Sequence, residues 1–160
     1  MHLHAVSWDA GRRDSGQQNS VASADNIDEV SVSVRIDLSA GVVWLREEGT
    51  ACYDDWEAAL VDVQRHPEFR PGLRYLIDGR ALTAAPTRED VERGVELMRM
   101  AAGRFGAIRW AMVTSHHRTA TFGTMRMTEI LAAAAGGIRV RAFLDVDEAL
   151  RWLTRTDPPE

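Results

Sequence analysis

Ser115, His116, His117 and Arg118 follow one another in the chain, the densest run of chemically competent side chains in it. An imidazole titrates near neutral pH, so either histidine can be cast as a general base toward the Ser115 hydroxyl. Asp78 would then orient the ring, and Arg80 or Arg118 would hold an anionic substrate. A small hydrolase or transferase is the activity this constellation suggests. Two features weigh against it. Ser115 lacks the Gly-x-Ser-x-Gly elbow that presents a nucleophile between a strand and a helix. No Glu or His stands at i+4 on an expected helix to complete a zinc site with the histidines. The competing reading is non-catalytic: Asp78, Arg80, Thr87, His116, His117 and Arg118 form a surface for a protein partner or a small ligand. That reading is preferred, with no metal and no cofactor assigned.

The residue types that are missing narrow the chemistry further. All 19 basic residues are Arg, so P-loop phosphate binding and Schiff-base chemistry, which need a Lys amine, are excluded. Guanidinium groups stay charged and suit fixed anion recognition rather than proton transfer. Cys52 is the single cysteine, which excludes an internal disulfide, a CxxC redox pair and a Cys-rich zinc site. Its expected role is a small half-buried residue. His2 and His4 could touch a metal only if their segment were ordered, and solvated side chains are the simpler reading.

A chain of 160 residues, 45% apolar with a formal charge of −5, fits one domain with enough length to bury a core. No apolar run approaches the roughly 20 residues of a membrane span, and Met1 to Ala10 lack a signal-peptide pattern. A cytoplasmic protein is expected. The negative charge and scattered arginines argue against nucleic acid as a partner.

The elements that must position these residues are legible as alternations and stripes. Residues 1–26 show no periodicity and read as a disordered tail; residues 27–156 read as the domain, and 157–160 as a short C-terminal tail. From Val30, apolar Val32, Val34 and Ile36 alternate with polar neighbours, a half-buried strand. A turn at Ser39-Ala40-Gly41 leads to a second strand over Val42 to Glu47, antiparallel to the first. Asp54 and Glu57 suggest a capping box opening a helix that Pro67 stops. A third strand over Leu73 to Asp78 is expected to end at Gly79. Thr87 and Asp90 open a second helix ending near Gly103, and Ile108 to Val113 is a fourth strand. A third helix runs from Thr119 to Ala135 with Gly136-Gly137 as its cap, followed by a strand over Ile138 to Leu144. Asp145 and Glu148 open the last helix, before Pro158. The order ββαβαβαβα implies an α/β fold with a single mixed sheet covered by helices.

In such sheets ligands gather where parallel strands end. Those ends are Asp78-Gly79-Arg80, Thr114 to Arg118, and Asp145. A second candidate is an apolar pocket under the second and third helices, with Met98, Met100, Met112, Met125 and Met127 as an adaptable wall, although a Met stripe is commonly plain core. Trp44, Trp56, Trp110 and Trp152 read as core or interface anchors, and an exposed one among them would point to a homodimer.

The phrases His66-Pro67-Glu68-Phe69-Arg70-Pro71-Gly72, Leu76-Ile77-Asp78-Gly79-Arg80, Phe122-Gly123-Thr124-Met125-Arg126-Met127 and Asp147 to Leu153, in this element order, resemble the STAS-like family of anti-sigma-factor antagonists. The closer likeness is to its small stand-alone SpoIIAA-like branch, over about Val30 to Leu153. The resemblance implies a SpoIIAA-like architecture and a regulatory, partner-binding role. In phosphoregulated members a Ser about nine residues beyond the strand-ending Asp or Asn accepts phosphate from a partner kinase. The matching position here is Thr87, a hydroxyl at a helix start where the macrodipole favours phosphate, without the flanking Asp and Gly. An ordinary N-cap is the alternative role of Thr87.

Overall fold

Alternating side chains and short loops leave this chain few ways to pair its strands. The computed structural model describes residues 31–50 and 52–156. The expectations for residues 1–26, with His2 and His4, and for 157–160 lie outside the described residues. Nine elements follow in the expected order: β1 (Ser31–Asp37), β2 (Val42–Thr50), α1 (Tyr53–Arg65), β3 (Arg74–Ala84), α2 (Arg88–Phe105), β4 (Arg109–Val113), α3 (Thr119–Ala135), β5 (Arg139–Phe143) and α4 (Val146–Thr154). The sheet runs β1-β2-β3-β4-β5 in sequence order, with β1 antiparallel to β2 and the remaining pairs parallel.

Because every crossover from β2 onward advances the same way across the sheet, a common handedness places α1, α2 and α3 on one face. The two apolar clusters follow from that. The larger joins Val43, Leu45, Tyr75, Ile77, Trp110 and Val140 of the sheet to Leu60, Val63, Val95, Met98 and Ala132 of those three helices. The smaller, on the opposite face, packs Val42, Leu76, Ala111, Val113 and Phe143 under Ala149 and Leu153 of α4.

Two helix starts behave as their spacing predicts. Thr87 Oγ1 accepts from the backbone N–H of Asp90, and Asp145 Oδ1 from that of Glu148. The Asp54–Glu57 pair does not: the N-cap lies two residues earlier, at Cys52, with no side-chain cap bond. Asp54 and Asp55 lie instead inside the first turn, where their charge still suits the helix dipole. The second helix runs past Gly103 to Phe105, and Gly106, at φ 70°, supplies the left-handed cap.

The largest departure is at β3. Gly79 does not release the chain, and the strand continues to Ala84. The reason lies in its pairing with β2: Arg46 partners Asp78 while Glu48 partners Ala81, so Glu47 faces an extra residue on β3. Gly79 marks a bulge rather than a strand end. The inserted residue shifts the alternation, and Leu82 is fully buried while Ala81 is half-buried.

Candidate functional site

The bulge and the three helices over it flank a small cavity of about 50 Å³. Its walls come from Leu45 and Glu47 of β2, Ile77 and Leu82 of β3, Trp56 and Leu60 of α1, Gly94 and Met98 of α2, Met112 of β4, and Thr121, Thr124, Met125 and Thr128 of α3. Gly94 permits the close approach of α2 to α1: a Cβ there would lie 3.1 Å from the Trp56 ring.

Among the described residues Glu47 is the one ionisable side chain in this lining, and it is 3% exposed. The alternation of β2 puts it there, since Val43, Leu45 and Glu47 share the core-facing side. Its Oε1 accepts the indole N–H of Trp56. Burial pushes the carboxyl up, the Trp56 hydrogen bond lowers it, and the charge of Asp78 raises it, with a resulting pKa of about 7. The carboxyl therefore changes charge near neutrality inside a space whose remaining lining is apolar apart from threonine hydroxyls.

Sequence reasoning missed Glu47 as a site residue, yet the signal was present: a Glu at the third core-facing position of an otherwise apolar alternation. The expected methionine wall is met in part. Met98, Met112 and Met125 line the cavity, whereas Met100 packs half-buried against the main core and Met127 is not among the lining residues.

The residues singled out for catalysis are placed otherwise. Asp78 is buried in mid-strand, in register with Val113. Its two carboxylate oxygens accept from Nε and Nη2 of Arg80, each at 2.8 Å, and Oδ1 also accepts the Arg80 backbone N–H. Burial alone would raise its pKa, but the Arg80 hydrogen bonds and charge, with Arg46, hold it below the ordinary carboxylate value. His116 and His117 are exposed in the turn after β4, and Ser115 is half-buried beside them. Among the described residues neither imidazole has a carboxylate hydrogen-bond partner, so the Ser115–His–Asp78 arrangement is not assembled. The physical cause is the length of β3, which keeps Asp78 inside the sheet and engaged with Arg80 instead of at a loop rim. Arg118 reaches the carbonyl of Thr83 at 3.3 Å, which ties the start of α3 to the extended end of β3.

Thr87 is exposed, and its hydroxyl also donates to Asp90 Oδ2 at 2.7 Å. Glu89 and Asp90 share that first turn, so a phosphate on Thr87 would meet the favourable helix dipole and two opposing carboxylates together. Cys52 is half-buried, as expected for a small structural residue. Trp110 is buried and stacked on Tyr75, while Trp44, Trp56 and Trp152 are half-buried; the exposed large apolar side chains among the described residues are Ile108 and Ile130. Among the described residues no three His, Cys, Asp or Glu side chains converge as a metal site, and no helix is long and apolar enough to cross a membrane.

A solved structure from Shewanella loihica PV-4, of an uncharacterized DUF3478-family protein with a SpoIIAA-like fold, superposes on this chain with a TM-score of 0.53. The two are 16% identical, and the match covers 82% of this chain and 99% of the other. The fold is SpoIIAA-like. No family model matches the chain, and no curated protein matches it by sequence. At that identity the likeness carries the SpoIIAA-like architecture alone, and the cavity and its carboxyl stand on their own geometry.

Proposed function

We propose that this SpoIIAA-like domain works by binding a small, largely apolar molecule in the space between the sheet and α1, α2 and α3, without catalysing a reaction on it. The observation that carries this reading is the cavity itself. Strands β2, β3 and β4 and helices α1, α2 and α3 meet around the buried carboxyl of Glu47 and a few threonine hydroxyls, the usual composition of a small-molecule site: apolar lining with few placed polar groups. Three flexible methionines in the wall let it adapt to the occupant. A regulatory role follows if occupancy alters the packing of α1 and α2 against the sheet, since a protein partner or a second copy would read that outer surface.

Native mass spectrometry of freshly purified protein tests the reading, because it reports retained small molecules and subunit number together. A thermal-shift panel of small apolar compounds accompanies it. Retained ligand, or a rise in Tm that is lost when Thr128→Phe fills the cavity, supports the proposal. No retained molecule and no compound that raises Tm would count against it.

A further inference from the structure

The geometry points to a small apolar amine as the cavity's occupant, with its cationic nitrogen against Oε2 of Glu47; this deepens the small-molecule reading above and rests on it. The first observation is a half-used carboxyl. Oε1 of Glu47 receives the Trp56 N–H, but among the described residues no donor reaches Oε2. That oxygen lies 3.3 Å from the point where a Cβ on Gly79 would stand, on the side where Met125 Cε and Leu82 Cδ1 also approach. The bulge glycine thus lets Met125, Leu82 and Oε2 close in on its backbone with no Cβ between them. Oε2 has no protein donor among the described residues, and a ligand N–H that reaches it supplies one in a space of low polarity.

The second observation is the sign of the lining. Among the described residues no Arg lines the cavity, and the chain has no Lys, so a carboxylate or phosphate ligand would meet Glu47 with no counter-ion. An ammonium supplies the missing positive charge and several N–H donors at once.

The third observation concerns two of the three α3 threonines in the wall, Thr124 and Thr128. Thr124 donates its hydroxyl to the carbonyl of Ala120, and Thr128 to that of Thr124, each at 3.0 Å. Having committed their protons, both oxygens keep only lone pairs to offer. The Trp56 N–H is already engaged as well. The hydroxyl of Thr121, the third threonine of the wall, has no hydrogen-bond partner among the described residues and keeps a proton to give, so acceptor oxygens outnumber donors and favour a donor-rich head group. The small volume limits the apolar part to a few carbons unless the methionines move.

The test compares three probes of one carbon skeleton, isobutylamine, isobutanol and isobutyrate, on the full chain at pH 8 by ligand-observed NMR. Isobutylamine is expected to bind at least tenfold more tightly than isobutanol, and isobutyrate not at all. In Glu47→Gln the amine and the alcohol are expected to bind alike. If the alcohol binds as well as the amine to the unaltered chain, the amine assignment is overturned while the cavity reading survives. If none of the three binds, the cavity reading itself fails. An amine preference that persists in Glu47→Gln would place the charge recognition elsewhere and overturn the proposal. Should that variant fail to fold, the three-probe comparison on the unaltered chain still decides.

Discussion

Trp56 of α1 donates its indole N–H to Oε1 of Glu47 on β2, so a single hydrogen bond joins the first helix to the sheet across the wall of the cavity. A carboxylate 3% exposed depends heavily on its remaining donor. Trp56→Phe keeps most of the ring and removes the N–H. It is expected to cost about 1–3 kcal/mol at pH 8, where the carboxyl is charged. At pH 5 the carboxyl is protonated and the cost is smaller. Chemical denaturation at both pH values measures the difference, and an equal loss at the two would contradict the role given to this bond.

Glu47 itself makes stability fall as pH rises. Its folded pKa of about 7 lies above the ordinary 4.5, so the folded state holds the proton more tightly. The associated stabilisation is complete below 4.5, is lost between 4.5 and 7, and is absent above. At about 1.4 kcal/mol per pH unit this amounts to roughly 3 kcal/mol. The groups acting on the carboxyl are Trp56 from α1 and Asp78 from β3, and the lining residues of α2 and α3 are not titratable. Glu47→Gln is expected to flatten the decline and raise Tm at pH 8 by several degrees. Calorimetry from pH 5 to pH 8 checks this, and an unchanged slope would refute it.

Gly79 offers a steric handle on the same space. A Cβ at this position would approach Met125 Cε to 2.8 Å and Leu82 Cδ1 to 3.1 Å. The methionine end can swing away, so Gly79→Ala is expected to cost about 1–2 kcal/mol rather than prevent folding. Because the displaced groups line the cavity, binding of any small probe should weaken more than stability does. Unchanged probe affinity in a stably folded Gly79→Ala would show that the occupied space lies elsewhere.

The element order and sheet class were legible because they follow from short-range signals: the alternation from Val32 to Ile36, the caps at Thr87 and Asp145, and the glycine pair closing α3. What was not legible depended on pairing between strands. Gly79 reads locally as a strand end, and only its register against Glu47 and Glu48 reveals a bulge with five more residues of strand beyond it. The same misreading moved Asp78 to a loop rim and made a triad with His116 or His117 look possible. Glu47 was hidden for a related reason. A lone Glu next to Glu48 reads as a solvated strand end, and only the packing of Trp56 and α3 over that position buries it.

Thr87 provides a prediction independent of the cavity. Its hydroxyl accepts the Asp90 N–H and donates to the Asp90 carboxylate, so the side chain closes the first turn of α2 from both sides. Thr87→Ala is expected to cost about 1 kcal/mol. Thr87→Ser keeps the oxygen and should cost less than half of that. Urea unfolding separates the two, and a Ser variant as unstable as Ala would exclude the capping role.

Asp78 should titrate with the opposite sign to Glu47, although the two sit in adjacent strands. The hydrogen bonds and charge of Arg80 outweigh its burial and hold its folded pKa below the ordinary 3.8. Its contribution is therefore complete above that value and is lost as pH falls through the lower, folded-state pKa. The size is modest, because the Arg80 side chain is 47% exposed and water screens the pair. Asp78→Asn is expected to lose about 1 kcal/mol at pH 7 and to converge with the unaltered chain in strong acid. Measured together, Glu47→Gln should gain stability at pH 8 while Asp78→Asn loses it. If both variants shifted the same way, the assignment of one carboxyl to the cavity and the other to a structural ion pair would be wrong.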